Sequence, residues 1–190
     1  MPGQARPVAD ERDGLLTFLA QARHQLKITG YGLTPAQLAD SPSASVLSVG
    51  GVIKHVAYTE AGWIDQMVQR PPTHPARHDW DQRFDVAQGE TYEQIAAFYD
   101  EVAAETERVV AGIEDLGQPV PIDKSVPWNP QDHDNWSVRW VLLHLIQETA
   151  RHSGHADIIR ETVDGGTGYE LMAAAEEWPE EGFVKPWKPA

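Results

Sequence analysis

Four long segments of this chain repeat apolar residues every three or four positions, and helix-starting or helix-ending residues bound each of them. That pattern commits the chain to an all-α fold. The first segment, about 10–30, carries Leu15, Leu16, Leu19, Ala22, Leu26 and Ile28 on one face and stops at Gly30 and Gly32. The second, about 46–70, starts after Ser45 or Ser48 and carries Val49, Val52, Val56, Trp63 and Met67. Gly50-Gly51 near its start costs helix propensity, which predicts close approach by a neighbouring helix or a ligand. The third, about 91–116, turns Ile95, Phe98, Val102, Val109 and Ile113 inward and Glu93, Asp100, Glu101, Glu105 and Glu107 to solvent. The fourth, about 137–164, runs from a Ser137 N-cap to Gly165-Gly166. A short helical turn is expected at Thr34-Pro35-Ala36-Gln37-Leu38, where Thr34 caps and Pro35 suits the first helical position.

Helices of this length around long middle connections predict a four-helix bundle, a single domain over residues 1–190 with a tail over 165–190. The connections, about 71–90 and 117–136, are rich in Pro, Asp, His and Trp, and loops of that length in a compact domain usually shape a site. They are expected to roof a pocket, together with the tail carrying Trp178 and Trp187. Strand signals are confined to 118–122 and 124–126, which predict a small hairpin. Trp63 and Trp140 read as core, whereas Trp80, Trp128 and Trp136 read as rings at a pocket mouth.

Charge narrows the partners. With 29 acidic against 15 basic residues the formal net charge is −14, and no basic cluster interrupts it, so nucleic acid and anionic membrane are excluded as partners. There is no cysteine, which removes disulfides and thiolate metal sites and means that any reactive sulfur arrives on a bound molecule. Neither a signal-peptide run nor a membrane-spanning apolar segment is found, and a cytoplasmic protein is the expectation.

Within the fourth helix, Glu148 and His152 stand four residues apart and leave one face together, close enough to share one metal ion. His55, inward on the second helix beside Val52 and Val56, supplies a third ligand. Two His and one Glu leave an open position on a divalent ion, as catalytic zinc sites do. The rival reading pairs Glu148 with Arg151 or another rim cation and makes His152 and His55 hydrogen-bonded core residues. His144 and His155 flank the pair as further ligands or orienting partners. His24, His74, His78 and His133 read as surface histidines.

The run from His144 to His155 resembles the last-helix motif of the DinB/YfiT-like family, H-x-x-N-H-x-x-H-H-R-G-Q, and His55 with Glu60 and Trp63 resembles that family's second-helix pattern H-x-x-x-x-E-x-x-W. The resemblance covers about 10–165. It implies an up-down-down-up four-helix bundle and a metal held by His55, Glu148 and His152. Glu148 stands where the commoner pattern has histidine, and this resembles the mycothiol-dependent maleylpyruvate isomerase branch and the DUF664 group; His155 replaces the final Gln. The resemblance further implies a metal-dependent S-transferase, with zinc expected and nickel, manganese or iron as alternatives. It would use mycothiol or bacillithiol to attack a small electrophile, and a homodimer is among its expected states. Arg139 and Arg151 are candidates to neutralise a substrate carboxylate. Metal-assisted hydrolysis, and a stress-associated metal-binding protein without turnover, are the rival functions.

Overall fold

The computed structural model describes residues 3–74 and 84–189. Its elements in chain order are α1 (Glu11–Ile28), α2 (Pro35–Ala39), α3 (Val49–Met67), α4 (Tyr92–Ala111), β1 (Pro119–Pro121), β2 (Asn135–Ser137), α5 (Val138–Asp164) and α6 (Gly168–Ala175). Side-chain caps start most of the helices: Asp10 accepts from the Asp13 N–H, Ser48 from Gly51 and Ser137 from Trp140. Thr34 with Gln37 and Thr91 with Gln94 form reciprocal capping boxes. Gly165, at φ 79, closes α5 in the left-handed conformation that glycine adopts without penalty.

Helix directions follow from which residues share a core. Leu26 of α1, Val49 to Ala61 of α3, Ile95 to Val102 of α4 and Ala156 and Ile159 of α5 form one cluster. Leu15 and Leu19 of α1, Ile64 and Met67 of α3, Val109 and Val110 of α4 and Val138 to Leu145 of α5 form the other. So α1 and α5 run one way and α3 and α4 the other, the up-down-down-up order. α5 packs on α1 and α3, and α3 packs on α4. Parallel α3 and α4 must be joined by a chain that returns the length of the bundle, about 28 Å for a 19-residue helix. Topology therefore accounts for much of the length of the 71–90 connection.

Between the two clusters lies a polar layer. Arg23 of α1 donates from Nε to Glu60 Oε2 of α3 at 3.0 Å and pairs through Nη2 with Oε1, both residues being almost wholly buried. Thr106 of α4 donates its hydroxyl to the same carboxylate at 2.5 Å. Burial raises the pKa of the neighbouring Tyr99 phenol, and the Glu60 charge adds to the effect. Two further arginines close helix ends. Arg12 of α1 donates to the carbonyls of Val110, Ile113 and Glu114 at and beyond the end of α4. Arg160, fully buried in α5, donates to Thr29 and Tyr31 past the end of α1, each at 2.7 Å.

Three boundaries differ from the sequence expectation. α4 stops at Ala111 rather than near 116, because the chain turns at Gly112 and Arg12 takes up the freed carbonyls, while Ile113 and Leu116 stay buried outside the helix. β1 pairs with β2, Val120 opposite Trp136, and not with 124–126. There the chain turns instead: Asp123 accepts from Ser125, and the Lys124 ammonium gathers the carbonyls of Pro130, Gln131 and His133. The tail contains α6, whose Leu171, Met172 and Ala173 are buried.

Replacing Glu60 by Leu removes the buried partner of Arg23 and leaves only the exposed Glu107, 3.5 Å away, which is expected to destabilise the fold by about 3–5 kcal/mol in urea unfolding. The double replacement Arg23→Met with Glu60→Leu is expected to recover most of that loss. A single variant as stable as the parent would show that the ion pair is dispensable.

Candidate functional site

His55 lies on the inward face of α3, in its first half, and is 5% exposed. Glu148 and His152 face it from α5, one helical turn apart. Glu148 Oε1 is 3.6 Å from His55 Nε2 and 3.2 Å from His152 Nε2, and the His55 and His152 ring centroids are 4.9 Å apart. The three side chains offer ligand atoms that all lie within 4.8 Å of one another, and this group could hold a metal ion. Tetrahedral coordination at zinc distances separates neighbouring ligand atoms by about 3.4 Å, so the two carboxylate–imidazole separations fit one ion without rearrangement of the helices. The His152 imidazole, then that of His55, holds the Glu148 carboxyl well below the usual carboxylate range, against the opposing effect of partial burial. Glu148 is thus an anion between two rings, not a rim partner of Arg151, which is exposed.

The flanking histidines take different roles. His144 stacks on Trp140 with centroids 5.0 Å apart at 11° and meets Trp63 edge-on, and burial lowers its pKa. Trp140 in turn stacks on Trp136 at 3.8 Å, so Trp136, Trp140 and His144 form a ladder along the start of α5. Trp63 and Trp140 are half-buried wall residues rather than core. His155 packs edge-on against the His152 ring at 5.3 Å; the Nδ1 atoms of both are buried and meet no hydrogen-bond partner among the described residues. His155 therefore holds His152 by packing. His24 Nε2 lies 2.8 Å from the Glu176 carboxylate, which accepts, and is partly buried, and His133 is exposed; His78 lies outside the described residues.

One connection covers the site. The Phe84 ring stacks on His55, 4.1 Å between centroids at 13°. Gly51 permits it, since a Cβ there would lie 2.3 Å from the Phe84 carbonyl oxygen; at Gly50 a Cβ would lie 2.9 Å from the Leu38 carbonyl oxygen and 3.0 Å from the Val86 side chain. The glycine pair predicts close approach here, and what approaches is the backbone of the short helix α2 at Gly50 and of the Phe84 loop at Gly51. Lys54, buried beside His55, clips the same limb by donating to Glu90 at 2.8 Å, and Glu90 accepts from Ala87 N–H. Phe84, Lys54 and Glu90 had no signature as site residues; a buried lysine seeking a carboxylate was the readable hint.

The 117–136 connection lines a groove of about 610 Å³ whose near end, Thr59, lies one turn beyond His55 on α3. The tail does not reach the site: Trp187 covers the Arg160 guanidinium at 4.6 Å and packs against Tyr31 and Gly32, and Trp178 donates to Glu176. Trp128 is exposed, and Trp80 lies outside the described residues. Arg139 is paired with Glu11 at the start of α1, far along α5 from His152, and so is not placed to meet a substrate there.

A family model described as mycothiol-S-transferase matches residues 14–165. No curated protein matches the sequence. Among solved structures, the crystal structure of a conserved protein from Enterococcus faecalis superposes with a TM-score of 0.65, covering 82% of this chain and 98% of that chain at 15% identity. At that identity the likeness shows the fold alone. Among the described residues no helix is long and apolar enough to cross a membrane.

Gly51→Ala is expected to push the Phe84 backbone off α3 and to destabilise the fold by about 1–3 kcal/mol. The imidazole protons of His55 should lose the ring-current shift that the stacked Phe84 imposes, which one-dimensional and NOE spectra would read. An unchanged His55 resonance in the variant would show that the glycine is not what admits the loop.

Proposed function

The chain belongs to the mycothiol-S-transferase family, and from that premise we propose that it is a divalent-metal-dependent thiol S-transferase acting on small electrophiles. The observation that carries the reading is the convergence of His55, Glu148 and His152 from two helices. These three side chains would hold the ion, and zinc suits two imidazoles and a carboxylate. When bound, it supplies an electrophilic centre that lowers the pKa of a thiol so that thiolate forms near neutral pH.

The protein's own residues do the rest. Glu148 would contribute a single negative charge and the two histidines none, so a divalent cation held there would keep a net positive charge toward an anionic sulfur. Phe84 closes one face of His55 and keeps water from it, while the partial exposure of Glu148 and His152 leaves the approach along α5 open. With no cysteine in the chain, the nucleophilic sulfur belongs to the co-substrate. Its thiolate forms a C–S bond to the electrophilic carbon, the leaving group departs with the bonding pair, and the thiol proton passes to solvent. Mycothiol is the thiol the family points to.

His152→Ala is expected to lower metal affinity by more than about 100-fold while the far-ultraviolet spectrum keeps its helical intensity. Elemental analysis of the purified variant checks it, and full metal occupancy would refute the ligand set. Conjugation of a halogenated aromatic electrophile is expected to require both metal and thiol and to be lost on chelation or in Glu148→Ala. Electrophile loss that proceeds as fast in thiol-free buffer would instead establish hydrolysis.

A further inference from the structure

The groove beside the site has a chemistry of its own. Tyr58, Thr59, Gly62, Trp63, Gln66 and Asp123 are among its lining residues, and its volume of about 610 Å³ is that of a small-molecule site. Several of its hydrogen-bond donors are engaged by the protein, while the buried Thr59 hydroxyl meets no partner among the described residues. Arg70 pairs with Asp65 at 2.5 Å and with Glu105 at 2.6 Å, and Asp65 also accepts from the N–H and hydroxyl of Thr73. Gln66 Nε2 donates to the Pro121 carbonyl at 2.8 Å, and Gln69 Nε2 to the Gln66 carbonyl at 2.6 Å.

The acceptors are left over. Among the described residues no donor reaches the side-chain oxygens of Gln66 and Gln69 or Oδ2 of Asp123, whose Oδ1 alone takes the N–H and hydroxyl of Ser125. Lys124, next in sequence, turns its ammonium onto Pro130, Gln131 and Asp134 and does not neutralise Asp123. The groove therefore combines aromatic rings, free acceptors, the Thr59 hydroxyl and one unbalanced carboxylate. Those features attract a cation and repel an anion.

Gly62 points the same way. It sits in the interior of α3, where glycine costs helix stability, yet a Cβ added there would meet no atom within 4 Å. Packing does not call for glycine at this position. Its absent side chain keeps the groove floor open between Thr59 and Gln66.

We propose that this groove binds small molecules carrying a ring and a protonated amine, the amine toward Asp123 and the ring against Trp63 and Tyr58. Combined with the S-transferase activity, on which this further step rests, the electrophile handled at His55, Glu148 and His152 carries a cationic end in the groove, and Gly62 limits how bulky it can be.

Benzylamine, benzyl alcohol and benzoate test the binding site directly on the full chain, in amide-resolved NMR titrations that need no turnover. Benzylamine is expected to shift the amides of Gly62, Trp63, Gln66 and Asp123 and to bind most tightly, benzoate least. Asp123→Asn should weaken benzylamine about threefold to fivefold and leave benzyl alcohol unchanged. Gly62→Leu, which no neighbouring atom opposes, should keep the fold and weaken both by about tenfold or more. Shifts scattered over the acidic surface, equal binding of amine and alcohol, or an Asp123→Asn variant that binds benzylamine as the parent does would each overturn the assignment. None of those outcomes bears on whether thiol transfer occurs, which the metal and thiol dependence of conjugation decides separately.

Discussion

A guanidinium and a carboxylate buried across the diagonal of a helical bundle leave the helices very little freedom. Arg23 and Glu60 belong to α1 and α3, which stand on opposite corners, and the two apolar clusters lie on either side of them. Sliding either helix by one turn would carry a charge into a hydrophobic layer, a cost of several kcal/mol that no repacking of leucines and valines offsets. Apolar contacts alone tolerate such slips more readily, because one aliphatic surface resembles the next. The pair therefore sets both the register and the rotation of α3. His55 precedes Glu60 by five residues, so fixing the carboxylate in the centre also fixes which way the imidazole points. Thr106 adds α4 to the same layer, and the position of the candidate site is inherited from an interaction that takes no part in its chemistry.

Charge has a second, quite different use at His55, Glu148 and His152. The chain carries a formal charge of −14, and under the proposed thiol-transfer reading the site would have to gather an anionic sulfur against that background. A ligand set with a single carboxylate would keep the centre positive if a divalent ion were held there. The surrounding wall is aromatic rather than acidic: Phe84 lies on His55, and Trp63, Trp140 and His144 continue the surface along both helices. Rings exclude water without adding charge. The acidic residues that dominate the composition are displaced to the outer face of α4 and to pairs such as Glu105 with Arg70 and Arg108.

How much of this was legible in the chain depended on range. Periodicity located all four long helices, since the apolar stripe of each is a local property, and the four-residue spacing of Glu148 and His152 located most of the candidate site. His55 needed a helical face and a family resemblance together. Where a boundary was missed, a nonlocal partner decided it: Ile113 and Leu116 keep the period of α4 although the helix has ended, because Arg12 from α1 claims the carbonyls. β1 finds its partner beyond an intervening loop, and nothing near 118–122 advertises Trp136 as the neighbour of Val120. Phe84 over His55 and Arg23 against Glu60 are likewise meetings of distant segments. Only α6 was overlooked with its signal in view, Thr167 and Glu170 standing at capping-box spacing.

The order of the helices also bears on how the chain is made. α1 leaves the ribosome first, yet its most extensive partner is α5, which begins only at Val138. At synthesis rates of about 5–20 residues per second the apolar stripe of α1 waits several seconds for the surface that covers it. α3 and α4 adjoin in sequence and in space, and they can pair while α1 is still uncovered. His55 is then presented on a half-built bundle, with Glu148 and His152 arriving only with α5. A nascent chain of this topology cannot close its histidine–carboxylate group until α5 has emerged, so any ion that these side chains would hold could be bound only after that.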